Sequence, residues 1–204
     1  MRFIYGTGNQ AKIQQVKDFF NTQEKELTIL SLKDIGFSEE IVEDGTTFEE
    51  NSMIKAKAIK KFCDEKNLHE IIITDDTGLC VDALDGRPGV YSARYAGDHA
   101  PQEKSIAKLL GEMEGIPEEK RTAQFVCVLT AILPNGKIMV AKGETKGRIA
   151  NKPGTLGKLT YGPIFIPEGF SCVMNEIPDE ELGKTHREKA FLEIIGKIEK
   201  EQNA

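Results

Sequence analysis

Short apolar runs alternate along the chain with apolar stripes at helical spacing, the pattern of an α/β protein. Phe3-Ile4-Tyr5 reads as a strand, and Ile13, Val16, Phe19 and Phe20 follow it at helix spacing. Leu27 to Leu32 is a second strand, after which Gly45-Thr46-Thr47 opens a long helix to about Lys66. Glu70 to Thr74 predicts a short buried strand and Leu79 to Leu84 another, closed by a Gly86-Arg87-Pro88-Gly89 turn. Pro101 opens a helix with one stripe of Ile106, Leu109, Leu110 and Met113, stopped at Gly115. Thr122 to Leu133 is apolar on both faces, as a central strand is, and Pro134-Asn135-Gly136 turns it into Ile138 to Ala141 as a hairpin. Gly143 to Gly169 reads as loops with short strands, and a last helix runs from His186 to about Ile198. No linker, repeat or low-complexity tract interrupts this pattern. Residues 1–204 are therefore expected to form one domain, a mixed sheet flanked by helices.

Candidate chemistry begins between the first strand and the first helix. Thr7-Gly8-Asn9-Gln10-Ala11-Lys12 is a tight loop running into a helix N-terminus, where unpaired backbone N–H groups and the positive end of the dipole suit phosphate. Lys12 opposes that dipole from the first turn, which an anionic ligand would explain. The same residues also fit a plain turn with Asn9 as N-cap. Asp75 and Asp76 close a buried strand at the edge where α/β sheets place their ligands. Side chains alternate along a strand, so one of the two faces the site, and their mutual repulsion calls for a metal or a lysine. Thr47-x-x-Glu50 has the form of a capping box, and Glu50 with Asp76 also offers the hard oxygens that Mg²⁺ takes. Lys55 lies one turn beyond Asn51 and is the lysine of that helix best placed to reach its start. Thr185-His186-Arg187 opens the last helix with a planar guanidinium suited to phosphate or a base carbonyl. His69 and His99 have no such company and read as surface residues.

Composition narrows the class. The chain has 204 residues, 39% hydrophobic and 29% charged, with a net charge of −6. No apolar run approaches the roughly 20 residues of a membrane span, and the acidic balance argues against a nucleic-acid surface. The N-terminus leads straight into strand and loop without a signal-peptide pattern. Cys63, Cys80, Cys127 and Cys172 lack metal-ligand spacing, and Cys80 and Cys127 lie in apolar runs, as expected of buried thiols in a reducing cytoplasm.

In combination these segments resemble the inosine-triphosphate pyrophosphatase family. The resemblance rests on Thr7-Gly8-Asn9-x-x-Lys12, Thr47-Phe48-x-Glu50-Asn51 with Ile54-Lys55-Ala56, and Asp75-Asp76-Thr77-Gly78-Leu79. It continues through Asp82-x-Leu84-x-Gly86-x-Pro88-Gly89-Val90-Tyr91-Ser92-Ala93-Arg94-Tyr95, Tyr161-x-Pro163-Ile164-Phe165 and Thr185-His186-Arg187. Each motif is weak alone, but the ordered set spans residue 3 to about 198. The resemblance implies an elongated mixed sheet with two lobes around a central substrate cleft, usually in a homodimer. It implies Mg-dependent hydrolysis of inosine, deoxyinosine and xanthosine triphosphates to monophosphate and pyrophosphate. The stretch from Thr7 through Gly8, Asn9, Gln10 and Ala11 to Lys12 would cradle the triphosphate. Glu50 and Asp76 would hold Mg²⁺, with Asp76 also the base for the attacking water. Thr77 would contact substrate and Lys55 would neutralise phosphate charge. Thr160, Tyr161 and Gly162 would line the base pocket, while His186 and Arg187 would read the 6-keto edge. A donor aimed there accepts a ring carbonyl and opposes the amine of adenine.

Three departures stand out. Gln15 replaces a glutamate of the family pattern, and Glu181 replaces a lysine, with Lys184 close enough to substitute. The family's Phe-Gly-Tyr/Trp-Asp-Pro is Leu159-Thr160-Tyr161-Gly162-Pro163 here, without its first aromatic and its aspartate. The alternatives are a Maf-like pyrophosphatase of other modified or pyrimidine nucleotides, left open by the altered base segment, and a noncatalytic nucleotide-binding protein, against which intact Glu50 and Asp76 speak.

Overall fold

The computed structural model describes residues 1–157 and 159–203. Its strands are β1 (Arg2–Tyr5), β2 (Thr28–Leu30), β3 (Ile71–Val81), β4 (Thr122–Ile132), β5 (Ile138–Ile149) and β6 (Phe165–Pro167). Its α-helices are α1 (Gln10–Thr22), α2 (Phe48–Glu65), α3 (Gln102–Glu112), the single-turn α4 (Asp179–Leu182) and α5 (His186–Gln202). The strand order is β2-β1-β3-β4-β5-β6. β1 pairs parallel to β2 and β3, whereas β5 and β6 are antiparallel, so the sheet is mixed as expected. The chain divides into two compact units, and β3, β4 and β5 each contribute residues to both.

The first unit comprises Met1–Asp76, Cys127–Gly143 and Arg187–Ala204. Strand alternation sorts its core into two layers. Phe3, Tyr5, Ile71 and Ile73 pack with Ile13, Val16 and Phe20 of α1 and with Ala190, Phe191, Ile194 and Ile198 of α5. The intervening Ile4 and Ile72 pack with Phe37 and with Ile59 and Cys63 of α2. The residue after β1 is Gly6, where a Cβ would lie 2.4 Å from Ile59 Cδ1 and 2.6 Å from Thr74 Cγ2. The second unit comprises Thr77–Val126 and Glu144–His186. Leu79 and Val81 pack there with Ile106 and Leu109 of α3, with Met113 at its C-cap, and with Phe125, Ile149 and Phe165.

Two expected strands, Glu70 to Thr74 and Leu79 to Leu84, are one strand of 11 residues. The polar Asp75-Asp76-Thr77-Gly78 stretch does not break it, because side chains from other elements satisfy the carboxylates while the ladder continues. Leu84 instead ends a 3₁₀ turn, Asp82–Leu84. The hairpin's second strand runs to Ile149, well beyond Ala141, so the region 143–169 holds more strand than its glycines suggest, with residue 158 outside the described set. β2 is shorter than the run Leu27 to Leu32. Cys63 and Cys127 are buried, whereas Cys80 and Cys172 are half-buried. His69 and His99 are exposed. Among the described residues no helix is long and apolar enough to cross a membrane.

Candidate active site

The alternation that builds the core of the first unit also separates its two adjacent aspartates. Asp75 continues the face of Ile71 and Ile73, and meets β1, α1 and α5. Tyr5 Oη donates to its Oδ1 at 3.0 Å, Lys12 Nζ donates to Oδ2 at 2.7 Å, and Arg187 Nη2 lies 3.6 Å from Oδ2. Burial alone would raise the carboxyl pKa, but the charges of Lys12 and Arg187 outweigh it and hold the group well below the usual carboxylate range. Tyr5 moves the other way, its phenol held neutral by burial and then by the Asp75 charge. Arg187 Nη1 donates to Gln15 Oε1 at 2.8 Å. Burial acts to lower the Arg187 pKa, but the hydrogen bond with Tyr5 and the charge of Asp75 more than offset it, so it stays charged. The lysine that opposes the helix dipole thus has an anion of the protein's own beside it.

Asp76 faces α2. Asn51 Nδ2 donates to its Oδ2 at 3.1 Å, and Asn51 Oδ1 accepts from the Gly45 amide at 2.8 Å, which fixes the carboxamide. Lys55 Nζ lies 4.0 Å from Asp76 Oδ1 and donates to Glu43 Oε2 at 2.6 Å. The side chain of Asp76 is 13% exposed, that of Asp75 1%. Asp76 is thus the more accessible of the two carboxylates.

Glu50 is exposed and forms the cap that its spacing predicts. Its Oε2 accepts from Thr46 N at 2.7 Å, Thr46 Oγ1 at 2.8 Å and Thr47 N at 3.1 Å, while Thr47 Oγ1 accepts from Glu50 N. The Thr46 hydroxyl first, then the Thr46 and Thr47 amides, lower its pKa. All these bonds land on Oε2, so the cap leaves Oε1 for another cation or donor. A cavity of about 700 Å³ is lined by residues 44–47 with Glu49, Glu50, Met53, Ile54 and Lys57. Asp76 is not in its lining.

The Thr7–Lys12 loop is held from within. Asn9 is the N-cap, and its Oδ1 accepts from the amides of Ala11 at 3.0 Å and Lys12 at 3.3 Å. Thr7 Oγ1 accepts from Asn9 N at 3.2 Å. Among the described residues the amides of Gly8 and Gln10 have no internal acceptor. A Cβ at Gly8 would meet nothing within 4 Å, so the loop is open there. Thr7 and Gly8 line a second cavity of about 370 Å³ with Gln10 and residues 31–33 and 36–38.

The second unit carries the expected base-recognition residues other than Arg187. Tyr161 is buried, with its hydroxyl donating to Ser92 O at 3.0 Å. Burial raises that phenol to about 12. Gln102 Nε2 donates to Leu159 O at 2.7 Å and Thr160 O at 2.8 Å. His186 is buried against Phe125, ring centroids 5.1 Å apart and 15° from parallel. Thr77 is half-buried, Thr160 and Glu181 are exposed, and Gly162 opens a short 3₁₀ turn. The neighbours His186 and Arg187 fall in different units. Sequence reasoning missed the supporting residues Tyr5, Ser92 and Gln102, and the use of Asn51 to hold Asp76. Their partners are distant in sequence, so no local signal marks them.

Among the described residues no cluster of three or more His, Cys, Asp or Glu side chains could hold a metal ion. Glu50 and Asp76 carry the hard carboxylate oxygens that Mg²⁺ takes, and of the two only Glu50 lines the larger cavity.

Comparison with known proteins follows this geometry. The model of the Ham1 family matches residues 3–197. The chain is similar to the dITP/XTP pyrophosphatase of Bacillus subtilis, 38% identical over 197 residues, which covers 96% of each. The Staphylococcus aureus Ham1 protein superimposes with a TM-score of 0.82 at 33% identity, over 98% of this chain and 100% of that one. A nucleoside-triphosphatase / dITP/XTP pyrophosphatase from Mycobacterium abscessus gives a TM-score of 0.72 at 34% identity, over 89% and 91% of the respective chains.

Proposed function

We propose that this chain, which belongs to the Ham1 family, hydrolyses non-standard purine nucleoside triphosphates such as dITP, ITP and XTP to monophosphate and pyrophosphate. The observation that carries this reading is the sorting of two adjacent carboxylates, Asp75 fixed between Lys12 and Arg187 and Asp76 held by Asn51 on the opposite face. Asp75 sets the position of the phosphate-loop lysine. Asp76 is the base: its carboxylate takes a proton from water as the water oxygen bonds to the α-phosphorus and the bond to the bridging oxygen breaks. Lys12, Lys55 and the amides of Gly8 and Gln10 supply positive charge and donors for phosphate oxygens. Glu50 and Asp76 would hold Mg²⁺, which would supply positive charge against the leaving pyrophosphate.

Base choice is assigned to His186, Arg187 and the segment around Thr160, Tyr161 and Gly162. Arg187 donates to the 6-keto oxygen from an orientation set by Gln15 and Asp75. The enzyme acts on a small-molecule nucleotide pool in the cytoplasm, as a homodimer. The test is a panel of nucleoside triphosphates with Mg²⁺, scored for pyrophosphate against orthophosphate. Pyrophosphate with a monophosphate from dITP and XTP is expected. Orthophosphate with a diphosphate product would overturn the reading.

A further inference from the structure

Gly162 stands where the family pattern has an aspartate, and its backbone does not require glycine, since its φ lies outside the left-handed region. Space requires it. A Cβ at 162 would lie 2.0 Å from Asn175 Oδ1 and 2.7 Å from Asn175 Cγ. Gly157 has the same neighbour, with a Cβ there 2.6 Å from Asn175 Nδ2. Gly154 is confined likewise, by Glu176 Oε1 and Val173 Cγ2, each at 2.5 Å. Three glycines of one segment thus pack against a single 3₁₀ turn, Met174–Glu176, and the residue before it.

The contacts are polar as well as steric. Asn175 Nδ2 donates to Thr155 O at 3.2 Å, and Glu176 Oε1 accepts from Thr155 N at 3.0 Å and Thr155 Oγ1 at 3.1 Å. Gln102 holds the other end through Leu159 O and Thr160 O. We infer that Asn175 is a specificity-positioning residue of this chain, its carboxamide taking the room of a side chain at 162 and setting the base-recognition segment that Gly162 belongs to. The segment is fixed by a neutral amide from outside it where a carboxylate of its own would otherwise stand. This rests on the proposed assignment of residues 160–162 to the base.

The steric match makes the pair reciprocal. Gly162→Asp drives a side chain into Asn175, and Asn175→Ala removes both the filler and the tie to Thr155. The double variant Gly162→Asp/Asn175→Ala has room for the new carboxylate. Residues in contact couple strongly, so each single variant is expected to raise KM for dITP about tenfold with a smaller change in kcat, and the double variant to recover most of that loss. Thermal midpoints follow the same order, with Gly162→Asp lowered and the double variant above it. Asn175→Asp keeps the shape but sets an acceptor against Thr155 O, and KM rises as in Asn175→Ala. Unchanged KM in Asn175→Ala, or a double variant no better than Gly162→Asp, overturns the inference while wild-type pyrophosphate release keeps the proposed function standing. A wild-type protein that releases no pyrophosphate from any triphosphate overturns both.

Discussion

Lys12 Nζ donates to Asp75 Oδ2 at 2.7 Å, joining the first turn of α1 to the middle of β3 across 63 residues of sequence. Arg187 Nη2 lies 3.6 Å from the same oxygen, and its Nη1 donates to the neutral Gln15. Lys12 and Arg187 thus bring two positive charges to one carboxylate, with no second anion from residue 15. The ionised Asp75 is what balances these buried cations.

Asp75→Asn should therefore act on stability before chemistry. Removing one partner of a buried ionic group leaves the others uncompensated, at a cost of about 3–5 kcal/mol. The folded-state pKa of Asp75 lies below its unfolded value. Its contribution is thus full above the ordinary aspartate pKa of about 3.9 and fades as pH falls toward the folded value. Urea unfolding of wild type and variant at about pH 7 and about pH 2.5 should show their difference shrinking in acid. A difference that stays constant would mean the carboxylate is not the charged partner.

Asp76→Asn should do the opposite. The amide is isosteric and its oxygen still accepts from Asn51, so the thermal midpoint should change little. It carries no charge for a metal and takes no proton from water, so turnover should fall by about 10²-fold or more. Pyrophosphate release and a melting curve on the same preparation check both halves. A variant retaining normal turnover would remove Asp76 from the base role.

These two adjacent aspartates also mark how far the sequence could be read. The loop from Thr7 to Lys12, the cap of Asn9 and the Thr47–Glu50 box are local, and periodicity with capping chemistry exposes them directly. Alternation told that the two carboxylates diverge but not which was which. That depends on Lys12, Tyr5, Arg187 and Asn51, brought in by the fold from 25 or more residues away. The same blindness split β3 in two, because four polar or small residues resemble a break until their partners are known. At Gly162 the sequence shows a missing side chain, and only the packing shows Asn175 in its place.

Glu50→Gln separates two roles of one side chain. Glutamine serves in a capping box, so helix stability should be retained. The charge for a cation is lost, so turnover should fall and the Mg²⁺ concentration for half-maximal rate should rise. A titration of rate against Mg²⁺ reads this, and a curve superimposable on wild type would leave Glu50 as a cap alone.

Arg187→Ala bears on base choice. Gln15 and Asp75 orient the guanidinium, and a donor held in place discriminates better than one that must be ordered on binding. Loss of a charged hydrogen bond to the 6-keto oxygen should lower kcat/KM for dITP about tenfold to hundredfold, the equivalent of about 1.5–3 kcal/mol. ATP, which offers an amine there, makes no such bond and should change little, so the gap between the two substrates narrows. The substitution also strips Asp75 of a buried partner, so Arg187→Lys is the needed control. Lysine keeps the charge beside Asp75 but not the planar fork, and should restore stability without restoring selectivity. Parallel rates on dITP and ATP for wild type and both variants decide the matter. If dITP and ATP lose rate by the same factor in Arg187→Ala, the arginine supports Asp75 and does not choose the base.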